Sequence, residues 1–276
     1  MKLDPPPLRS ALAACGCAIA LSGATGGAGP QLADAQAQTT ARLHAAFEPY
    51  RLGQRTTLQF EFAFSAPAGT VPPPLTEMQL QYPRGINFFL NDLGINRCAE
   101  SVLEASGPGG CPPDSAMGYG VVRTGIVLGG TPVEESSPIT ILRAPERDGH
   151  LALLFFAEGK EPVVTNVIFF GLLLSASDPF GGNVKIGVPL VETLPGAPYV
   201  SVLHLHATIG PKHLTYYHNV DGVSLAFAPQ GLLLPPTCPR DSFPFAAVFV
   251  FSDGTRALAS TTVPCPPPGR ARHRAR

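Results

Sequence analysis

The chain has no tryptophan, only three methionines, and only four lysines against fifteen arginines. Charged residues make up 14% of it. The HExxH, G-x-S-x-G and CxxC patterns are all missing. Their absence leaves no metalloprotease helix, no hydrolase nucleophile elbow and no cysteine-based zinc or redox motif. No segment of 20–50 residues repeats, which argues against a solenoid or propeller. No apolar stretch is long enough to cross a bilayer as a helix: the run Val167–Leu174 ends after eight residues. Without tryptophan, a stacking platform for sugars loses its usual component.

What is present points to β-structure. Apolar residues reach 45% of 276, enough for a sizeable core. Glycine (29) and proline (31) together make about 22% of the chain, below the range of low-complexity disorder. Many short apolar runs between such residues read as a turn-rich all-β protein.

Residues 1–37 read as an export signal. Lys2 and Arg9 give a positive start, Ser10–Ala24 is an apolar run, and Ala35-Gln36-Ala37 offers a small-x-small cleavage site. The last residues, 267–276, read as a basic, disordered tail carrying Arg270, Arg272, Arg274 and Arg276. Such a tail could touch a cell-wall polymer or a membrane surface. Without these two ends, thirteen basic residues face eighteen acidic ones, a net charge of −5. An acidic body is a poor nucleic-acid binder. Residues 38–266 read as a single body.

Within it, the clearest strands alternate. Leu58, Phe60, Phe62 and Phe64 share one face of Thr56–Ser65, and Met78, Leu80 and Tyr82 one face of Glu77–Tyr82. Both fit an antiparallel sheet with one wet face. His150–Ala157 and Val163–Ser175 are apolar on both faces, as central covered strands are. Further strands are expected at Thr39–Ala46, Tyr119–Leu128, Pro138–Leu142, Val184–Val191 and Tyr199–Ile209. Asp221-Gly222 is expected to turn Leu214–Val220 onto Val223–Ala228. Asp253-Gly254 is the strongest hairpin signal. A two-residue turn there pairs Phe249 with Leu258 and Val250 with Ala257, with Phe243, Phe245, Phe249 and Phe251 on one face. The fold class expected is an antiparallel β-sandwich, immunoglobulin-like or jelly-roll-like, stapled by disulfides.

Cys15 and Cys17 leave with the signal, and the remaining four cysteines allow three pairings. Export permits disulfides. The local pairs Cys98–Cys111 and Cys238–Cys265 are favoured. The second would staple the open end of the last hairpin, so its loss is expected to matter more. Leu93-Gly94-Ile95 before Cys98, then CPPDSAMGYG, LPPTCPRDSFPFAAVFVFSDG and VPCP, form a pattern of Cys, Pro and Gly. In it the chain resembles secreted actinobacterial proteins of unknown function. The resemblance implies an exported all-β protein with paired cysteines. It implies no activity, no cofactor and no catalytic residue.

Candidate chemistry is sparse. His204 and His206 project to one face of Tyr199–Ile209, with Leu203, Leu205 and Ile209 on the other. Two imidazoles so spaced could share a metal, with a third ligand from a neighbouring strand. Two exposed histidines on a wet face are the plainer reading. His213 and His218 follow shortly. Ser115 after Pro-Pro-Asp reads as a self-bonded turn rather than a nucleophile. Glu134 and Glu135 read as solvated loop residues, since a glycosidase pair must face across a cleft. Of Tyr216 and Tyr217, only one should point outward. The sequence therefore reads as a secreted or cell-surface protein with a structural or binding role. A hydrolase or metal-binding enzyme at His204/His206 is the alternative.

Overall fold

Apolar and polar residues alternate along most of the chain, and a sheet with one buried face follows. In a computed structural model, the described residues are 39–266, without 89, 161–163, 193–195, 240, 241 and the side chain of Leu128. The signal reading of 1–37 and the tail reading of 267–276 fall outside them. The described strands are β1 Thr40–Glu48, β2 Arg55–Ser65, β3 Leu75–Pro83, β4 Ala116–Leu128, β5 Thr131–Arg143, β6 Ala152–Gly159 and β7 Thr165–Leu174. They continue as β8 Phe180–Gly187, β9 Ser201–Ile209, β10 Tyr216–Val220, β11 Val223–Phe227, β12 Leu232–Leu233, β13 Ser242–Phe251 and β14 Arg256–Pro264. Among the described residues one α-helix, α1, spans Glu100–Ser106.

Eleven of these strands join in the order β1-β2-β9-β4-β5-β6-β7-β8-β3-β13-β14, with β12 added beside β2. Every ladder between them is antiparallel, which confirms the expected all-β, disulfide-stapled class. The sheet bends over on itself. Phe62 and Phe64 of β2 meet Phe249 of β13 at 4.9 and 4.8 Å between ring centres, and Phe47 of β1 meets Phe243 at 5.3 Å. The β2 and β13 parts of the sheet thus pack against each other, while hydrogen bonding runs on through one sheet. The edge strands β1 and β14 lie alongside each other. β10 and β11 form a separate hairpin turned at Asp221-Gly222.

The strands apolar on both faces are covered on both. Leu153, Phe155 and Ala157 of β6 face the main core, while Ala152, Leu154 and Phe156 face a second cluster. Leu103, fully buried on α1, closes that second cluster with Cys98 and Cys111. The helix is only seven residues long, too short to show a periodic pattern in the sequence. Arg143 is also buried. Its guanidinium donates to the carbonyls of Leu90, Gly94 and Ile95 at 3.2, 2.8 and 3.4 Å, holding the segment before Cys98.

Both expected disulfides are present, Cys98–Cys111 and Cys238–Cys265. The last hairpin differs from expectation by one residue of register. Phe249 pairs with Ala257, Val250 with Arg256 and Val248 with Leu258. The loop has three residues, Ser252-Asp253-Gly254, closed by the Phe251 N–H to the Thr255 carbonyl at 3.0 Å. Gly254 takes φ 81°, the left-handed position such a loop requires. Leu258 consequently points to solvent, 73% exposed, while Ala257 and Val263 face the core. The four phenylalanines Phe243, Phe245, Phe249 and Phe251 are all buried.

A second irregularity lies where β4 meets β9. His204 pairs with Arg123 but Val202 with Thr124, so Leu203 is the extra residue of a bulge. Val202 and Leu205 pack on the core. Leu203, expected on the inner face, instead lies against Gly125, where a methyl group would stand 2.8 Å from its Cδ1.

Candidate functional site

The histidines are placed by β1, β2 and β9. His44 pairs with Glu61, and Glu61 with His206, so the three form one cross-strand row on the outer face. His204 lies in the next row, and its Nε2 is 2.6 Å from Glu61 Oε1. Nothing in the sequence singles out Glu61; only the strand register reveals it. Its carboxyl is held below the usual glutamate range, chiefly by the hydrogen bond with His204, against some burial, and further by the charges of His204, His206 and His44. A carboxylate-held imidazole is a proton-transfer pair in principle. The row of His204, however, continues into Ala63 and Arg123, and that of His206 into Val121. In the first row a hydroxyl comes only at Ser136, beyond Arg123 and two strands from His204, and the second row runs on to Pro138. Among the described residues, no group of three or more His, Cys, Asp or Glu is arranged to hold a metal ion. His213 stands against Tyr119, and His218 stacks on Phe227 at 4.0 Å.

The other candidate residues resolve plainly. Ser115 is buried, and its Oγ donates to the Pro112 carbonyl at 2.6 Å, the self-bonded turn expected. Tyr216 is fully buried and Tyr217 is 56% exposed. The Tyr216 hydroxyl donates to the Ala116 carbonyl and accepts the Gly94 N–H. Burial pushes its pKa up to about 12. It is a peg between β10 and the start of β4.

Glu134 and Glu135 are a correction. They lie not in a loop but on β5, opposite Gly125 and Thr124 of β4. β5 pairs with β6 only from Ile139 onward, so Pro132 and Pro138 remove no ladder bond on that side. Adjacent strand residues face opposite ways. Glu134 points outward, 3.8 Å from Arg123, while Glu135 lines a cavity that is partly open to solvent.

That cavity has a volume of about 120 Å³ and is built by eight strands. Ile139, Ala157 and Val167 form one cross-strand row of its wall. Phe62, Leu205, Val122 and Ser137 form the next. Thr124, Glu135 and Val202 form a third, towards the ends of the strands. Met78 and Ile186 line the facing wall, and Val188, Val191 and Val200 the rim. Val167, Phe169, Val202 and Leu205 are only half-buried because the space beside them is empty. Glu135 Oε1 accepts the Lys160 N–H at 2.7 Å and the Ser137 hydroxyl at 3.3 Å. The space is close in size to the apolar cavity of about 150 Å³ that accepts benzene.

Compared with family models, with curated proteins and with solved structures, the chain matches none.

Proposed function

We propose that this is an exported, disulfide-stapled binding protein that takes a small apolar ligand, or the apolar end of a larger one, into the cavity between β4–β7 and β3–β8. The cavity itself carries the reading. Pockets for small molecules are concave, mostly apolar and furnished with a few polar groups, and this one has Thr124, Glu135, Ser137 and Thr165 on one side. Two disulfides, the signal-like leader and the resemblance to secreted actinobacterial proteins support a place outside the cytoplasm.

Benzene or toluene should raise the melting temperature in proportion to the logarithm of its concentration. Ala157→Leu fills the cavity from its wall. It should leave the protein folded and abolish that rise. A rise of equal size in the variant would place binding elsewhere.

The alternative, a hydrolase or metal-binding enzyme at His204 and His206, has the His204–Glu61 bond in its favour. Acyl transfer or glycoside hydrolysis needs several polar groups converging on one cleft. This patch is an exposed sheet face.

A further inference from the structure

We propose that the outer face of β1, β2, β9 and β4 is a pH-gated docking surface: with its histidines protonated it binds a linear polymer of phosphate groups, and at neutral pH it lets the polymer go. This face is turned away from the cavity, which takes Phe62, Leu205 and Val122 from the inner side of the same strands. One cross-strand row reads Arg42, Ala63, His204 and Arg123, and the next reads His44, Glu61, His206 and Val121. Just after β9, His213 stands against Tyr119 of the same face, with 6.0 Å between ring centres. Four histidines thus share one surface, and His44, His206 and His213 are exposed. Among the described residues only His150 and His218 lie elsewhere.

The permanent charges around them balance. Arg42, Arg123 and Lys212 stand against Glu48, Glu61 and Glu134, with Lys212 Nζ 2.6 Å from Glu48 and Arg123 3.8 Å from Glu134. β14, alongside β1, brings no carboxylate. Beyond Pro138 of β5 the surface turns acidic with Glu104 and Glu158, which bounds the patch. These six charges cancel while the histidines are neutral, and the patch reaches +4 when all four are protonated. Histidine is the side chain whose charge changes between about pH 8 and 5. Glu61 does not follow it down, because the hydrogen bond with His204 holds its carboxyl low. Acid therefore gathers positive charge on one face of a body whose net charge is −5. Chain phosphates stay ionised throughout that window, and arginine forks bind their oxygens in pairs. Cations set in two rows, at a strand spacing of about 4.8 Å, suit a linear anion. A lipid surface is matched less well: Val121 is the one large exposed apolar side chain in these rows, and lying on a membrane draws on buried apolar area.

Inorganic polyphosphate would be titrated into the full exported chain at about pH 7.5 and about pH 5.5, in about 50 mM salt where screening is weak, with affinity read by calorimetry. Binding should tighten at least about tenfold at the lower pH. His44→Gln/His206→Gln changes two exposed side chains and should cut that gain to about threefold or less. His150→Gln, on the turn before β6, should leave the gain whole. The tail arginines are charged at both pH values and add the same background to every variant. Equal affinity at the two pH values would overturn the proposal. So would a gain that survives in His44→Gln/His206→Gln, or one that falls as far in His150→Gln. Binding at the lower pH to phosphatidylglycerol vesicles but not to polyphosphate would overturn it in favour of a lipid surface.

Discussion

Removing the disulfides one at a time shows how much the buried surroundings of a bond count beside its loop length. The sequence separations are 13 for Cys98–Cys111 and 27 for Cys238–Cys265. Chain entropy assigns these loops about 3 and about 3.5 kcal/mol, a small advantage for the longer one. The structure outweighs it. Cys98 and Cys111 are buried, 1% and 5% exposed, in the cluster that Leu103 closes over Leu154 and Phe156. Cys238 and Cys265 are only half-buried at the open end of the β13–β14 hairpin. A serine pair at 98 and 111 therefore also buries two hydroxyls, at about 1–3 kcal/mol each. The total becomes roughly 5–9 kcal/mol against a typical net stability of about 5–15. Cys238→Ser/Cys265→Ser should lose little beyond its loop entropy. The order expected from loop length and the phenylalanine hairpin is thus reversed. At about 2–4 °C per kcal/mol for a chain of this size, Cys98→Ser/Cys111→Ser should melt at least roughly 3 °C below the other pair. Calorimetry of both serine pairs and both alanine pairs separates the contributions, since alanine adds no hydroxyl. An equal or larger loss in Cys238→Ser/Cys265→Ser would refute the reasoning.

Three further outcomes follow from particular residues. Leu258→Gln should change stability by less than about 0.5 kcal/mol in urea unfolding, because its side chain is in water; a core leucine would cost about 2–5 kcal/mol when truncated. Glu61 has a lowered carboxyl pKa in the folded state, so its contribution is complete above the ordinary glutamate value and is lost as pH falls through the folded one. The melting difference between the natural chain and Glu61→Gln should shrink as pH drops from 6 towards 3; a difference that grows would contradict the His204–Glu61 bond. Elemental analysis of purified protein should find no stoichiometric zinc, and about one metal per chain that vanishes in His204→Ala/His206→Ala would revive the enzyme reading.

Strands with one wet face are legible in the sequence. β2, β3 and β13 announce themselves because a period of two separates Phe60 and Phe62 from Gln59 and Glu61, and the β13 phenylalanines from their outward neighbours. β14 does not announce its register. RALASTTVP carries Ala257, Ala259 and Val263 on one face and Leu258 alone among polar residues on the other, so the buried face is legible; the pairing is not, because Asp253-Gly254 suggests a two-residue turn and the three-residue loop shifts it by one. The bulge at Leu203 escapes for a similar reason: an extra residue in β9 shifts the alternation without leaving a mark in its composition. Glu135 looks like a loop residue between two prolines, and its place on β5 depends on β6 not pairing there. The cavity is not legible at all. Its lining comes from eight strands, one to three residues each, and the bend of the sheet brings them together.

The claim that the protein binds an apolar ligand internally is tested most directly by a methyl NMR titration with benzene. Saturable shifts confined to Val122, Ile139, Val167, Ile186, Val202 and Leu205, and lost in Ala157→Leu, are the predicted result. Unchanged methyl signals at these residues, or saturable shifts centred instead on the exposed Val220, Val223 and Leu225 of the β10–β11 hairpin, would contradict it.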